Sequence, residues 1–216
     1  MAELDGPRLE PRSGRARRLV VFLHGYGADG NDLIEIGRAW QGLLPDAAFV
    51  SPHAPRPCGQ APMGREWFPL TFRNPEERWT GVNEAAPILE RFLDAELKRR
   101  DLPPSALALV GFSQGTMMSL FVGPRRPKPA AGIVGYSGRL EAPELLKDEI
   151  KSRPPILLVH GDSDELLPSR LTNEAAKALK ENGVTVEAHT RPGLGHGIDE
   201  EGIRLGMVFL KSRLAA

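Results

Sequence analysis

One serine stands between two glycines in Gly111-Phe112-Ser113-Gln114-Gly115, after the apolar run "ALALV" and before the small-residue stretch "TMMSLFVG". Two readings fit. Glycine relieves a tight strand-to-helix turn and serine caps the helix. Alternatively, the G-x-S-x-G pattern presents a nucleophilic hydroxyl at a sharp bend. With 23 glycines in the chain, the pentapeptide alone does not choose. A serine nucleophile needs a base within hydrogen-bond reach and a third group to orient that base. Of the five histidines, His24, in "LHGYGADG", serves most simply to hold the turn. His53 reads as loop packing, His160 ends an apolar run, and His189 lies in an alternating segment. His196, in "PGLGHGI", sits between glycines, where a loop can carry its ring over a sheet edge. The acid belongs to "HGDSDELLP". Asp162 is close enough to the preceding run to bond loop amides. Asp164 is farther out, where it could meet His196; spacing favours it without excluding Asp162. Asp199 reads as an acid at a helix N-terminus.

Acyl chemistry also needs donors for a tetrahedral oxyanion. The amide after the nucleophile, Gln114, supplies one, and the Tyr26 amide in the first glycine-rich loop supplies the second. That loop lacks the lysine and spacing of a P-loop, and metal-ligand spacings such as C-x-x-C or H-E-x-x-H are absent, so neither cofactor nor metal is expected.

The elements around these residues alternate. Short apolar runs at 18–25, 47–52, 106–112, 130–138 and 154–162 read as strands, and 184–192 alternates like a strand nearer an edge. Helical spacing marks 31–44, with Asn31 as a candidate cap, and also 82–100, 114–122, 169–183 and 197–214. Residues 53–80 show no period and read as a long loop. Such an alternation predicts an α/β protein: a mostly parallel sheet with helices on both faces, no repeat and no second domain. The expected organisation is an N-terminal tail, 1–17, followed by a single domain, 18–216. Ligands of such sheets bind beyond the carboxyl ends of the strands. Ser113, Asp164 and His196 each follow a different strand, in the chain order of the α/β-hydrolase triad.

Composition removes other classes. The chain has 216 residues with 28 basic and 28 acidic side chains, so no broad positive field for nucleic acid follows. The basic cluster "RSGRARR" reads as a solvated lead-in to the first strand. No apolar run approaches the roughly 18 residues of a membrane span. The N-terminus has neither the apolar core of a signal peptide nor the acid-poor character of a transit peptide. The lone Cys58 permits no intrachain disulfide and suits a reducing, cytoplasmic location. Oligomeric state is open, a homodimer included.

"LHGYGADGNDL", "GFSQGTMMSL", "YSG", "HGDSDELLP" and "GLGHGI" occur in order over nearly the whole chain. Together they resemble the phospholipase/carboxylesterase family of small α/β-hydrolases, which includes acyl-protein thioesterases and bacterial carboxylesterases. The resemblance implies a serine hydrolase with a short sheet and no cap. It makes the second aspartate of the "HGDxD" stretch, Asp164, the catalytic acid, and the residue after "HG" in the first loop, Tyr26, an oxyanion donor. This chain departs from common members in carrying Tyr26 in place of Leu and Thr116 in place of Gly.

"REWFPLTFRNPEERW" gathers Trp67, Phe68, Leu70, Phe72 and Trp79. They either pack the loop onto the core or wall an acyl site, and the resemblance implies that the "WF" stretch borders substrate. Leu166, Leu167 and Leu194 could extend such a wall, whereas Met117 reads as core. An apolar groove without a charged anchor suits uncharged esters or thioesters. The expected activity is hydrolysis of short- to medium-chain carboxylic esters through an acyl-enzyme. Acyl-protein thioesterase or lysophospholipase activity, and a non-catalytic binding protein, stand as alternatives.

Overall fold

All six runs read as strands enter one sheet. The computed structural model describes residues 4–71 and 74–214. The strands are β2 (Arg18–Leu23), β3 (Ala47–Val50), β6 (Leu107–Phe112), β7 (Gly132–Tyr136), β8 (Ile156–Gly161) and β9 (Val186–Arg191). A short strand, β1 (Arg8–Leu9), completes the order β1-β3-β2-β6-β7-β8-β9. Only β1 is antiparallel to its neighbour; the other five pairings are parallel. Successive strand residues serve opposite faces. Leu19, Val21, Leu23, Leu107 and Leu109 join a core with α2 (Pro75–Arg99), α3 (Gln114–Arg125) and α5 (Arg170–Glu181). Val20, Phe22, Ala108 and Val110 join another with α1 (Gly30–Trp40) and α6 (Glu200–Leu214). Helices on both faces bury every central strand, which is why those strands read as unbroken apolar runs.

The expected tail at 1–17 does not stay outside the sheet. Arg8 and Leu9 pair with Val50 and Phe49, the Ser51 amide donates to the Pro7 carbonyl at 3.0 Å, and Leu4 is buried. An uncovered β3 edge would leave a row of unpaired backbone groups, and this segment supplies their partners. Arg12, Arg15 and Arg17 are exposed, as a solvated basic cluster requires.

The 53–80 stretch is also more ordered than expected. It contains a hairpin of β4 (Arg56–Pro57) with β5 (Arg65–Glu66). Helix α2 begins at Pro75, capped by Asn74, whose side chain accepts from the Glu76 amide at 2.9 Å. Trp79 therefore lies on a helix rather than a loop. Helix α1 is capped by Asp29, not Asn31: the Asp29 carboxylate accepts from the Asn31 amide at 2.8 Å. A four-residue helix, α4 (Leu146–Glu149), lies between β7 and β8 and buries Leu146. The loops after β2, β6, β7, β8 and β9 all leave the same edge of the sheet, because those strands are parallel. That edge holds every residue singled out for chemistry.

Candidate active site

The bend at Ser113 is built by close backbone contacts. Ser113 has φ 53° and ψ −114°, a conformation few residues with a Cβ adopt and one that costs about 1–3 kcal/mol. Its amide donates to the Tyr136 carbonyl at 2.9 Å, fixing the bend to the end of β7. The flanking glycines are required by space. A Cβ on Gly115 would meet the Leu23 carbonyl oxygen, and one on Gly111 would meet the Gly115 carbonyl. Strand β6 and helix α3 thus pack backbone to backbone, and Ser113 is left at the apex.

His196 reaches that apex from the β9–α6 loop. Its Nε2 is 3.0 Å from Ser113 Oγ, and its Nδ1 is 2.7 Å from Asp164 Oδ2. A carboxylate only accepts, so Nδ1 carries the proton and the Nε2 lone pair faces the hydroxyl. The Phe112 ring packs against the imidazole, with centroids 5.0 Å apart. The loop is held on two sides. The Asp162 carboxylate accepts from the Gly193 amide at 2.7 Å, and the Ser137 hydroxyl donates to the Gly197 carbonyl at 3.1 Å. Asp162 therefore bonds an amide of the histidine loop, while Asp164 faces the histidine itself.

Asp164 Oδ1 accepts from the Leu166 and Leu167 amides at 2.9 and 2.8 Å. Burial pushes its carboxyl up, but the Leu167 amide, the His196 hydrogen bond and the neighbouring His196 and His160 imidazoles outweigh it. The net shift is below the usual carboxylate range. Asp199 is separate: it accepts from the Gly202 amide and from Arg191, as an acid at the start of α6.

The first loop lies against the elbow. A Cβ on Gly25 would sit 3.4 Å from Ser113 Cβ. Among the described residues, neither the Tyr26 nor the Gln114 amide has a protein acceptor, so both are free to donate to an oxyanion. The β4–β5 hairpin shapes this loop: the Gly27 amide donates to the Arg65 carbonyl at 3.0 Å, and the Arg65 amide to that of Ala28 at 2.7 Å. Burial, then Cys58 and Glu66, push the Tyr26 phenol up. His24 holds the turn as expected. Its Nδ1–H donates to the Gly25 carbonyl at 2.8 Å, and its Nε2 accepts from the Ala54 amide at 3.0 Å.

The aromatic segment is not an open wall. Trp67, Phe68 and Leu70 are each at most 3% exposed and belong to the core under the sheet. The Gln114 side chain accepts from the Trp67 amide at 2.9 Å and donates to the Phe68 carbonyl at 2.8 Å. The Trp67 indole donates to the His24 carbonyl at 3.0 Å. Buried aromatics with satisfied polar edges hold the loop down. Phe72 lies outside the described residues. Leu166 is 50% exposed beside Asp164, and Leu194 is half-buried beside His196. Met117 is core, as expected. Sequence reasoning missed the Gln114 side chain, whose partners lie 46 and 47 residues away, and His160, whose partners Asp164 and Leu167 are near in the chain but meet the ring only through the fold of the loop after β8. Among the described residues no cluster of three or more His, Cys, Asp or Glu side chains is arranged for a metal ion.

The phospholipase/carboxylesterase family model matches residues 4–213. The chain belongs to the phospholipase/carboxylesterase family. As a member it has the α/β-hydrolase fold and is a carboxylic ester hydrolase. It is 29% identical to esterase YpfH of Escherichia coli over 91% of this chain and 83% of that protein. With acyl-protein thioesterase 1 of Schizosaccharomyces pombe it shares 31% identity over 84% of each. Among solved structures, esterase PE8 superposes with a TM-score of 0.96 at 43% identity, covering 99% of this chain and all of that one. SOBER1 of Arabidopsis thaliana gives 0.77 at 26%, covering 92% of this chain and all of its own. No helix among the described residues is long and apolar enough to cross a membrane.

Proposed function

We propose that this family member is a serine carboxylesterase working through Ser113, His196 and Asp164. The observation that carries the reading is the continuous hydrogen-bonded line Ser113 Oγ–His196 Nε2–His196 Nδ1–Asp164 Oδ2, at 3.0 and 2.7 Å. Ser113 Oγ attacks the ester carbonyl while His196 Nε2 takes its proton. The tetrahedral oxygen receives the Tyr26 and Gln114 amides, and Asp164 holds the imidazolium. Collapse expels the alcohol, which takes the proton from His196. Water then attacks the acyl-enzyme by the same route and releases the acid. The substrates are uncharged, short- to medium-chain esters. Half-exposed Leu166 and Leu194 border the reacting centre, while Trp67 and Phe68 stay below it.

A thioesterase reading uses the same groups and is supported by the similarity to acyl-protein thioesterases. A chain-length panel of p-nitrophenyl esters run beside matched thioesters separates the two. Esterase activity predicts higher kcat/KM on the esters, falling for long chains; a preference for long-chain thioesters reverses the assignment. A fluorophosphonate should label Ser113 alone, and labelling elsewhere removes the mechanism. The buried, unpaired Cys58 supports a reducing, cytoplasmic setting, and sedimentation decides between monomer and homodimer.

A further inference from the structure

His160 ends an apolar run, yet its ring touches the carboxylate on which His196 depends. It is 1% exposed at the end of β8. Its Nε2 lies 3.0 Å from Asp164 Oδ2 and 2.8 Å from the Leu167 carbonyl. Both partners only accept, so Nε2 carries a proton. On the other side, Nδ1 is 2.6 Å from Thr172 Oγ1, which lies 3.4 Å from the Gly138 carbonyl. With Nε2 protonated and the ring neutral, the Thr172 hydroxyl donates to Nδ1 and locks that tautomer.

Asp164 Oδ2 is therefore shared between two imidazoles, and Oδ1 between two amides. We propose that His160 is a positioning residue that sets the aim and basicity of His196 through the shared Asp164 oxygen. The inference rests on the Ser113–His196–Asp164 reading. Donation from His160 withdraws part of the carboxylate's charge from His196 and holds Oδ2 in line with Nδ1. Its Leu167 bond also fixes the loop whose amides bind Oδ1. Among the described contacts, Asp164 is the titratable group facing His160; the other groups on its ring are the Thr172 hydroxyl of α5 and the Leu167 carbonyl of the loop after β8. His196 faces Asp164 and the Ser113 hydroxyl, with the Phe112 ring alongside.

The test compares His160→Leu, which fills the space without a donor, with His160→Gln, whose amide can return one near the Nε2 position. For Leu, kcat on a short p-nitrophenyl ester should fall about tenfold, the value of one charge-assisted hydrogen bond, with KM within about twofold. The acid limb of kcat/KM should move up by about one pH unit, because the undivided carboxylate favours the imidazolium more. Gln should recover most of both. Thr172→Val, nearly isosteric, should move the limb the same way by less. Leu and Gln variants that lose thermal stability alike while the limb and kcat stay at parental values overturn the proposal. If the Leu variant does not fold, an unmoved limb in Thr172→Val overturns it equally. Fluorophosphonate labelling of the parent at Ser113, abolished in His196→Ala, is run alongside; its failure removes the underlying mechanism instead.

Discussion

The Ser113 elbow and the Trp67 segment touch through the Gln114 side chain, yet they are held by opposite means. The elbow is fixed by backbone: glycines that admit neighbouring carbonyls, a strained φ at the serine, and an amide bonded to β7. The segment is fixed by side chains: two buried aromatics, a buried leucine and a borrowed glutamine amide. A backbone device leaves a short, recognisable string in the sequence. A side-chain device leaves only large residues in a loop, with no sign of which way they turn.

The difference is open to attack from either side, starting with the largest effect. Ser113→Ala should keep the fold and the Trp67 contacts while turnover falls on the order of 10⁴-fold or more; a variant with near-parental kcat breaks the assignment. Trp67→Ala should do the reverse. Losing a core aromatic and the indole bond to His24 should lower unfolding free energy by about 3–5 kcal/mol, read from denaturant titration. Its ester chain-length profile should slow evenly at all lengths. A tilt towards short chains would return Trp67 to the substrate wall.

Glycines sharpen the contrast. A methyl at Gly115 runs into the Leu23 carbonyl, so Gly115→Ala should cost about 3 kcal/mol or fail to fold. Gly59, in the hairpin, has open space where its Cβ would go, so Gly59→Ala should stay within about 0.5 kcal/mol. Equal thermal midpoints for the two would deny that the elbow depends on backbone contact.

His24 joins the two regions, and burial pulls its pKa down to about 4 from 6.5. Its folded value lies below its unfolded one, so the folded state resists the proton. The associated stability is complete above about pH 6.5 and is lost as pH falls towards 4, by about 3 kcal/mol in all. Stability measured across that window should flatten in His24→Gln, and an unchanged slope would remove the histidine from this role. The smallest change expected is at half-exposed Leu166. Leu166→Ala should leave the midpoint nearly unmoved and shift medium-chain over short-chain selectivity by about tenfold or less.

The sequence was most readable where one residue type answers one local demand. Apolar runs marked β2, β3, β6, β7 and β8, which are buried within the sheet, while β9 showed only as an alternation nearer an edge. Gly111 and Gly115 marked the elbow, and the spacing after β8 and β9 put Asp164 and His196 on facing loops. What stayed hidden depends on three-dimensional arrangement that no local spacing encodes. Arg8 and Leu9 become a strand only because β3 needs an edge partner. The β4–β5 hairpin exists largely through the first loop it binds, and Asp29 outcompeted Asn31 as a cap through side-chain geometry. His160 looked like the end of a strand because its two acceptors are set by a loop that folds back over it.

The two-residue strand β1 carries a practical consequence for handling the protein. It is the covering on the outer edge of β3, and it is also the part a shortened expression clone would discard first. A truncation beginning after Leu9 keeps every residue of the Ser113–His196–Asp164 line and would pass an activity-based selection of boundaries. It would also bare the edge at Phe49 and Val50, where another chain's strand can add. Such a clone should be active when dilute and lose soluble material on concentration. Affinity tags are safer joined ahead of an intact N-terminal segment than in place of it.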